Sequence, residues 1–120
     1  MHRVVLVALL SVLASTAWAA PPPAAQHEIA QLFDALEHSG CRFNRNGSWY
    51  DAKAARDHLQ DKYDYLVRRD AIHSTEGFID LAASKSSMSG RAYLVQCPGT
   101  AEMPSATWFR RLLAGLRAKR

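Results

Sequence analysis

Apolar residues fall along this chain in three distinct spacings. Val4 to Ala14 is an apolar run broken only by Ser11, and it follows a basic start at His2 and Arg3. Ile29, Leu32, Phe33 and Leu36 then recur three and four residues apart, with Glu28 ahead of them and Gly40 behind. That spacing lines up one face of an α-helix and predicts a first helix over residues 27 to 39. Cys41-Arg42-Phe43-Asn44-Arg45 and Ser48-Trp49-Tyr50 flank Asn46-Gly47. Asn-Gly accepts the positive φ angles of a two-residue turn, so a short hairpin is predicted there.

Asp51 stands at a capping position before a stretch of strong helix formers in which Ala55, Leu59, Tyr63 (or Lys62) and Leu66 share a side. A second helix over 52 to 68 follows, with a solvated charged face. Ser74-Thr75-Glu76 opens a third, shorter helix that turns Phe78, Ile79, Leu81 and Ala82 inward. Residues 84 to 90 read as a polar loop. Ala92-Tyr93-Leu94-Val95-Gln96-Cys97 has strand composition and is ended by Pro98-Gly99. Ser105 is expected to cap a last helix whose Trp108, Phe109, Leu112, Leu113 and Leu116 pack inward. The order is α-β-β-α-α-β-α, an α+β domain with a small antiparallel sheet. Trp49 and Tyr63 are expected in its core, with Tyr50 and Tyr65 exposed.

The opening apolar run is too short to span a bilayer comfortably and leads to Ala17-Trp18-Ala19, the small residues that signal peptidase accepts. Residues 1–19 are therefore expected to be a cleaved signal peptide, 20–26 a disordered leader built on Pro21-Pro22-Pro23-Ala24-Ala25, and 27–118 one small domain. A periplasmic address follows, with no transmembrane segment in the mature chain. The length of 120 residues, 48% of them apolar and 22% charged, excludes fibrous and wholly disordered classes and leaves no room for a second sizeable domain. In an oxidising compartment Cys41 and Cys97, the only two cysteines, most simply form a disulfide. Antiparallel pairing of the first and last strands would set them face to face. Removal of the signal takes one arginine away, leaving 14 Lys and Arg against 11 Asp and Glu. Arg110, Arg111, Arg117, Lys119 and Arg120 lie near the end, where cations favour a helix C-terminus, and no stripe of the kind that binds nucleic acid is present.

Chemistry-bearing residues are sparse. His27 and His38 are eleven residues apart, about 16 Å along a helix, and cannot share a metal. His58, beside Asp57, Asp61 and Lys62, lacks a second histidine at i+4 and reads as part of a solvated face; His73 stands alone. No metal and no cofactor are implied. Lys85 sits between Ser84 and Ser86, but neither an S-x-x-K nor a G-x-S-x-G spacing is present. Ser86, Ser87 and Ser89 with Arg45, Arg91 and Tyr50 form the candidate binding face, a hydrogen-bonding concavity for an anionic or sugar-like ligand. The alternative is that these hydroxyls only satisfy their own loop amides.

Phe43-Asn44-Arg45-Asn46-Gly47, Ala54-Ala55-Arg56-Asp57-His58-Leu59 and Ser74-Thr75-Glu76-Gly77-Phe78-Ile79-Asp80 together resemble the small YfeK-like proteins of Gram-negative bacteria. Residues 83 to 95, from Ala83-Ser84-Lys85 through Gly90-Arg91 to Leu94-Val95, extend the likeness over about residues 28 to 116. One departure is Ala92, where the family pattern carries Pro. The resemblance implies a secreted protein and supplies no activity. Residues and resemblance together point to a non-catalytic binding or protein-interaction module of the cell envelope. Its partner would be a periplasmic protein or a small anionic or sugar-like ligand. The alternative is a small envelope hydrolase or transferase using the serine-rich loop.

Overall fold

The computed structural model describes residues 2–11 and 20–120. The expected cleavage site at Ala17-Trp18-Ala19 lies outside the described residues. Residues 2–11 form neither helix nor strand, and no described helix is long and apolar enough to cross a membrane.

Four helices and four strands follow in the order α1 (Pro23–Glu37), β1 (Arg42–Arg45), β2 (Ser48–Tyr50), α2 (Ala52–Arg68), α3 (Thr75–Ala82), β3 (Leu94–Gln96), β4 (Met103–Pro104) and α4 (Ser105–Ala118). The α+β class and the element order are those the spacing predicts; β4 is an additional two-residue strand leading directly into α4. Helix α1 begins four residues earlier than the pattern implied. Pro23 occupies its first position, where the missing N–H costs no hydrogen bond, so Pro23–Gln26 is helix rather than leader. Ala25 is buried and Gln26 Nε2 donates to the Pro21 carbonyl at 2.6 Å, which packs the proline segment onto the domain.

The Asn46-Gly47 turn has φ of +53° and +86°, and both the Asp51 cap (2.8 Å to the Ala54 amide) and the Ser74 cap (2.9 Å to the Gly77 amide) form as the sequence implies. Ser105 does not cap α4. Pro104 takes that position, Ser105 is the first helical residue, and its buried hydroxyl has no hydrogen-bond partner among the described residues.

The sheet order is β2-β1-β3-β4, antiparallel throughout. Phe43 pairs with both Tyr50 and Val95, so these side chains share the face that the helices cover. Arg45, two residues along β1 from Phe43, and Tyr93, in the segment entering β3 with its ring 5.0 Å from that of Phe43, lie on that same face. Trp49 pairs with Asn44 and is turned to the opposite face, where the Arg42 guanidinium lies 5.1 Å from its ring centroid. Trp49 is thus half-exposed rather than core. Arg42 pairs with Gln96, so Cys41 and Cys97 meet one step beyond, their sulfurs 1.98 Å apart.

The core joins Ile29, Leu32, Phe33 and Leu36 of α1 to Ala55 and Leu59 of α2, Phe78, Ile79 and Ala82 of α3, Phe109 and Leu113 of α4, and Phe43 and Val95 of the sheet. Phe33, Tyr63 and Phe78 meet edge to face at centroid distances of 5.2 to 6.0 Å. Tyr63 packs against this core from a half-buried position.

One buried carboxylate ties the ends of the domain. Glu28 accepts from Thr75 Oγ1 (2.7 Å), from Arg117 Nε (2.8 Å) and Nη2 (3.0 Å), and from Arg120 Nη2 (2.5 Å), while Arg117 also reaches Glu76 (2.5 Å). The last two arginines thus bind a carboxylate of α1 rather than acting only on the end of their own helix. The Arg117 guanidinium holds the Glu28 carboxyl down at about 2 against the cost of burial, with Thr75 and Arg120 adding to the effect.

Two outcomes follow. A Cys41→Ser/Cys97→Ser variant loses a cross-link spanning 56 residues, and urea unfolding is expected to give a stability lower by about 4 kcal/mol. Glu28 is depressed in the folded state, so its contribution is complete above the ordinary carboxylate range and fades as pH falls from about 4.5 to about 2. Glu28→Gln is expected to cost about 1–3 kcal/mol at pH 7, and melting curves of the two proteins should converge in acid; a gap that stays constant with pH would contradict this assignment.

Candidate functional site

Helix α2 has a second face beside its buried one. His58, Asp61, Lys62 and Tyr65 are spaced at i, i+3, i+4 and i+7, so they form a single polar stripe along the helix edge. The hairpin turn and the serine-rich loop close over this stripe. The resulting cleft of about 450 Å³ is also lined by Arg45, Asn46, Ser86, Ser87, Met88 and Tyr93.

The loop itself is held from within. Ser86 is buried, and its hydroxyl accepts from the Met88 and Ser89 amides at 3.2 Å and from Asn46 Nδ2 at 3.3 Å. The Ser86 amide donates to the Arg91 carbonyl (2.9 Å), the Gly90 amide to the Ser86 carbonyl (2.9 Å), and Ser89 Oγ to Asn46 Oδ1 (2.5 Å). Gly90, at φ +74°, makes the turn. These hydroxyls fix the loop to the hairpin, and no base is hydrogen-bonded to Ser86 Oγ among the described residues.

Charge is concentrated on the opposite wall. Arg45 Nη1 lies 2.9 Å from His58 Nδ1, and its Nη2 lies 3.4 Å from the Tyr50 hydroxyl. His58 Nε2 is 3.3 Å from Tyr93 Oη, and Lys62 Nζ reaches that same oxygen at 3.4 Å and the Lys85 carbonyl at 2.8 Å. Neither Arg45 nor Lys62 has a carboxylate within salt-bridge distance among the described residues, although both are half-buried.

Burial lowers the pKa of Lys62, with Lys85 adding repulsion. Burial also lowers His58, reinforced by Arg45 and Lys62 and opposed by Asp61, so the imidazole is neutral at pH 7. Burial raises the Tyr93 phenol, and Arg45 works against it.

The expected face is therefore brought together in part. Arg45, Ser86 and Ser87 line the cleft, and Tyr50 stands behind Arg45. Ser89 serves the loop. Arg91 lies instead over the hairpin turn, where a Cβ at Gly47 would come within 3.7 Å of its Nη1. Tyr65 is exposed, with Arg69 stacked 4.5 Å from its ring centroid.

His58 is not part of a solvated face. It is half-buried, packs edge to face on Tyr93 at 6.0 Å, and joins the hairpin to the sheet. The stripe on α2 does not by itself single it out, because Tyr93, the ring it packs on, is 35 residues away in the chain.

Two other places hold less. A depression of about 500 Å³ beside the disulfide is walled by Gly40, Pro98, Gly99 and Thr100, and its one cation, Arg42, is committed to Gln96 (3.2 Å) and Trp49. Asp34, Glu37 and His38 bring ligand atoms within 4.8 Å of one another at the end of α1. Glu37 is paired with Arg56 and His38 Nδ1 contacts the Asp34 carbonyl at 2.8 Å, so ordinary surface pairing accounts for the group.

Ser86→Ala removes the acceptor on which two loop amides and Asn46 converge. It is expected to cost about 1–3 kcal/mol and to speed hydrogen exchange at Met88 and Ser89. Unchanged exchange at both amides would contradict the role given to that hydroxyl.

No curated protein and no solved structure matches the chain. A family model matches residues 23–117, from the first residue of α1 almost to the end of α4, so the four helices, the sheet and the cleft all fall within the match. The chain belongs to the family of unknown function DUF5329.

Proposed function

We propose that this protein is a secreted, non-catalytic binding module of the Gram-negative envelope, and that it takes a small anionic ligand in the cleft between α2, the hairpin turn and the serine-rich loop. The observation that carries this reading is the presence of two half-buried cations, Arg45 and Lys62, with no carboxylate against either among the described residues. Desolvating a cation without a counter-charge is unfavourable, and an anion entering the cleft offsets that cost. The Ala17-Trp18-Ala19 segment, the paired cysteines and the YfeK-like resemblance support the periplasmic address. The hydrolase alternative gains nothing from the cleft, since Ser86 Oγ accepts from the Met88 and Ser89 amides and neither Lys85 Nζ nor His58 is hydrogen-bonded to it among the described residues.

Native mass spectrometry of the chain expressed with residues 1–19 and recovered from the periplasm tests both parts. The expected mass begins at Ala20, is two hydrogens short of the reduced chain and carries a small acid. An Arg45→Ala/Lys62→Ala variant should keep the fold and lose that adduct. An uncleaved chain would overturn the address, and an adduct equally retained by the variant would overturn the cleft.

A further inference from the structure

Building on the anion reading of the cleft, we propose that its ligand is an organic carboxylate with an apolar body, and that seating this ligand draws a proton onto His58. A guanidinium has no lone pair; Arg45 Nη1 lies 2.9 Å from His58 Nδ1 and 3.4 Å from Nε2, so the nearer nitrogen, Nδ1, is the acceptor. The hydrogen of the neutral ring is then on Nε2, which donates to Tyr93 Oη at 3.3 Å. Lys62 Nζ donates to that oxygen as well, at 3.4 Å. Both lone pairs of the Tyr93 hydroxyl are thereby used, and its own hydrogen has no acceptor among the described residues. Tyr93 is 1% exposed and lines the cleft. Arg45, Lys62 and His58 Nε2 all donate on this wall, the Asp61 carboxylate that also lines the cleft is bonded to none of them among the described residues, and a buried hydroxyl hydrogen is left over. An oxygen of the ligand supplies what is missing.

The other wall suits the rest of such a molecule. Met88 is 96% exposed, an unusual position for a large apolar side chain, and it stands at the rim with Tyr65 across the cleft. A thioether beside an aromatic ring adapts to an apolar body of varied shape.

Proton uptake follows from what surrounds the imidazole. Arg45 and Tyr50 face it from the hairpin, Tyr93 from the segment entering β3, and Asp61 and Lys62 from its own helix, with Lys85 acting through Lys62. In the empty cleft the two cations and burial outweigh Asp61, and the ring stays neutral. A seated carboxylate offsets the cations and offers Arg45 a new acceptor, so Nδ1 is released to bind a proton. Arg45 thus has two alternative acceptors, the imidazole when the cleft is empty and the carboxylate when it is full. Linkage is reciprocal: a ligand that raises the affinity of His58 for a proton binds more tightly as pH falls.

Benzoate and sulfate serve as probes, since both keep a fixed charge from about pH 6 to pH 8. Imidazole NMR signals of His58 and dissociation constants are measured together across that range. Benzoate is expected to bind more tightly than sulfate and to shift the titration of His58 upward. Its affinity should rise several-fold toward low pH, up to about tenfold for each unit of that shift. His58→Gln should abolish the pH slope, and Tyr93→Phe should weaken benzoate about tenfold at every pH. Benzoate binding that is independent of pH, or a slope that persists in His58→Gln, overturns the proton linkage while the anion site stands. Sulfate binding as tightly as benzoate overturns the apolar body. If neither anion perturbs His58, Lys62 or Tyr93, the anion reading falls together with the linkage.

Discussion

Antiparallel pairing of β1 with β3, closed by the meeting of Cys41 and Cys97 one step beyond Arg42 and Gln96, sets the side-chain parity on which the rest of the molecule depends. A one-residue slip in a strand turns every side chain to the other face. In the register adopted, Phe43 and Val95 face the helices and complete the core, and Arg45 and Tyr93 are carried to the same face at the end of the strands. The apolar core and the charged wall of the cleft are consequences of one alignment. A sheet this short has few ladder hydrogen bonds with which to hold its register, and a covalent link at the strand ends removes the freedom to slide.

The cleft exists because α2 carries two faces side by side. Ala55, Leu59 and Leu66 pack it onto α1 and the sheet, while His58, Lys62 and Tyr65 run along the edge that the core leaves uncovered. The serine-rich loop forms the facing wall through its own hydrogen bonds and through Asn46, so the cleft is framed before any ligand arrives. Such a wall reorganises little on binding, which lowers the conformational cost of capture.

Much of the fold was legible in the sequence because local chemistry and tertiary packing agree there. Asp51 and Ser74 cap where a short polar side chain before a helical pattern should, and Asn46-Gly47 turns where positive φ is cheapest. The misreadings share a cause: each needed the register or a distant partner. Trp49 looks like core by composition, yet a turn at 46 and 47 pairs it with Asn44 and sends it outward. Ser105 looks like a cap until β4 brings Pro104 to that position. The proline leader becomes helix because Pro23 is harmless at a first helical position and Glu28 is held from the other end of the chain. In the candidate site, Arg45 and the serine loop were visible as unusual local composition. His58 and Tyr93 were not, because nothing near them in sequence shows that a strand and a helix 35 residues apart bring their polar ends together.

The Glu28 clasp has a consequence of a different kind. It holds Arg117 and Arg120 against the first turns of α1, so the domain begins and finishes at one place on its surface. A domain whose first and last helices meet can be closed by a short linker between them and reopened at an exposed turn such as Gly99. The architecture is in effect a ring already joined by ion pairs, in which the order of the elements around the core matters and the point where the polypeptide starts does not.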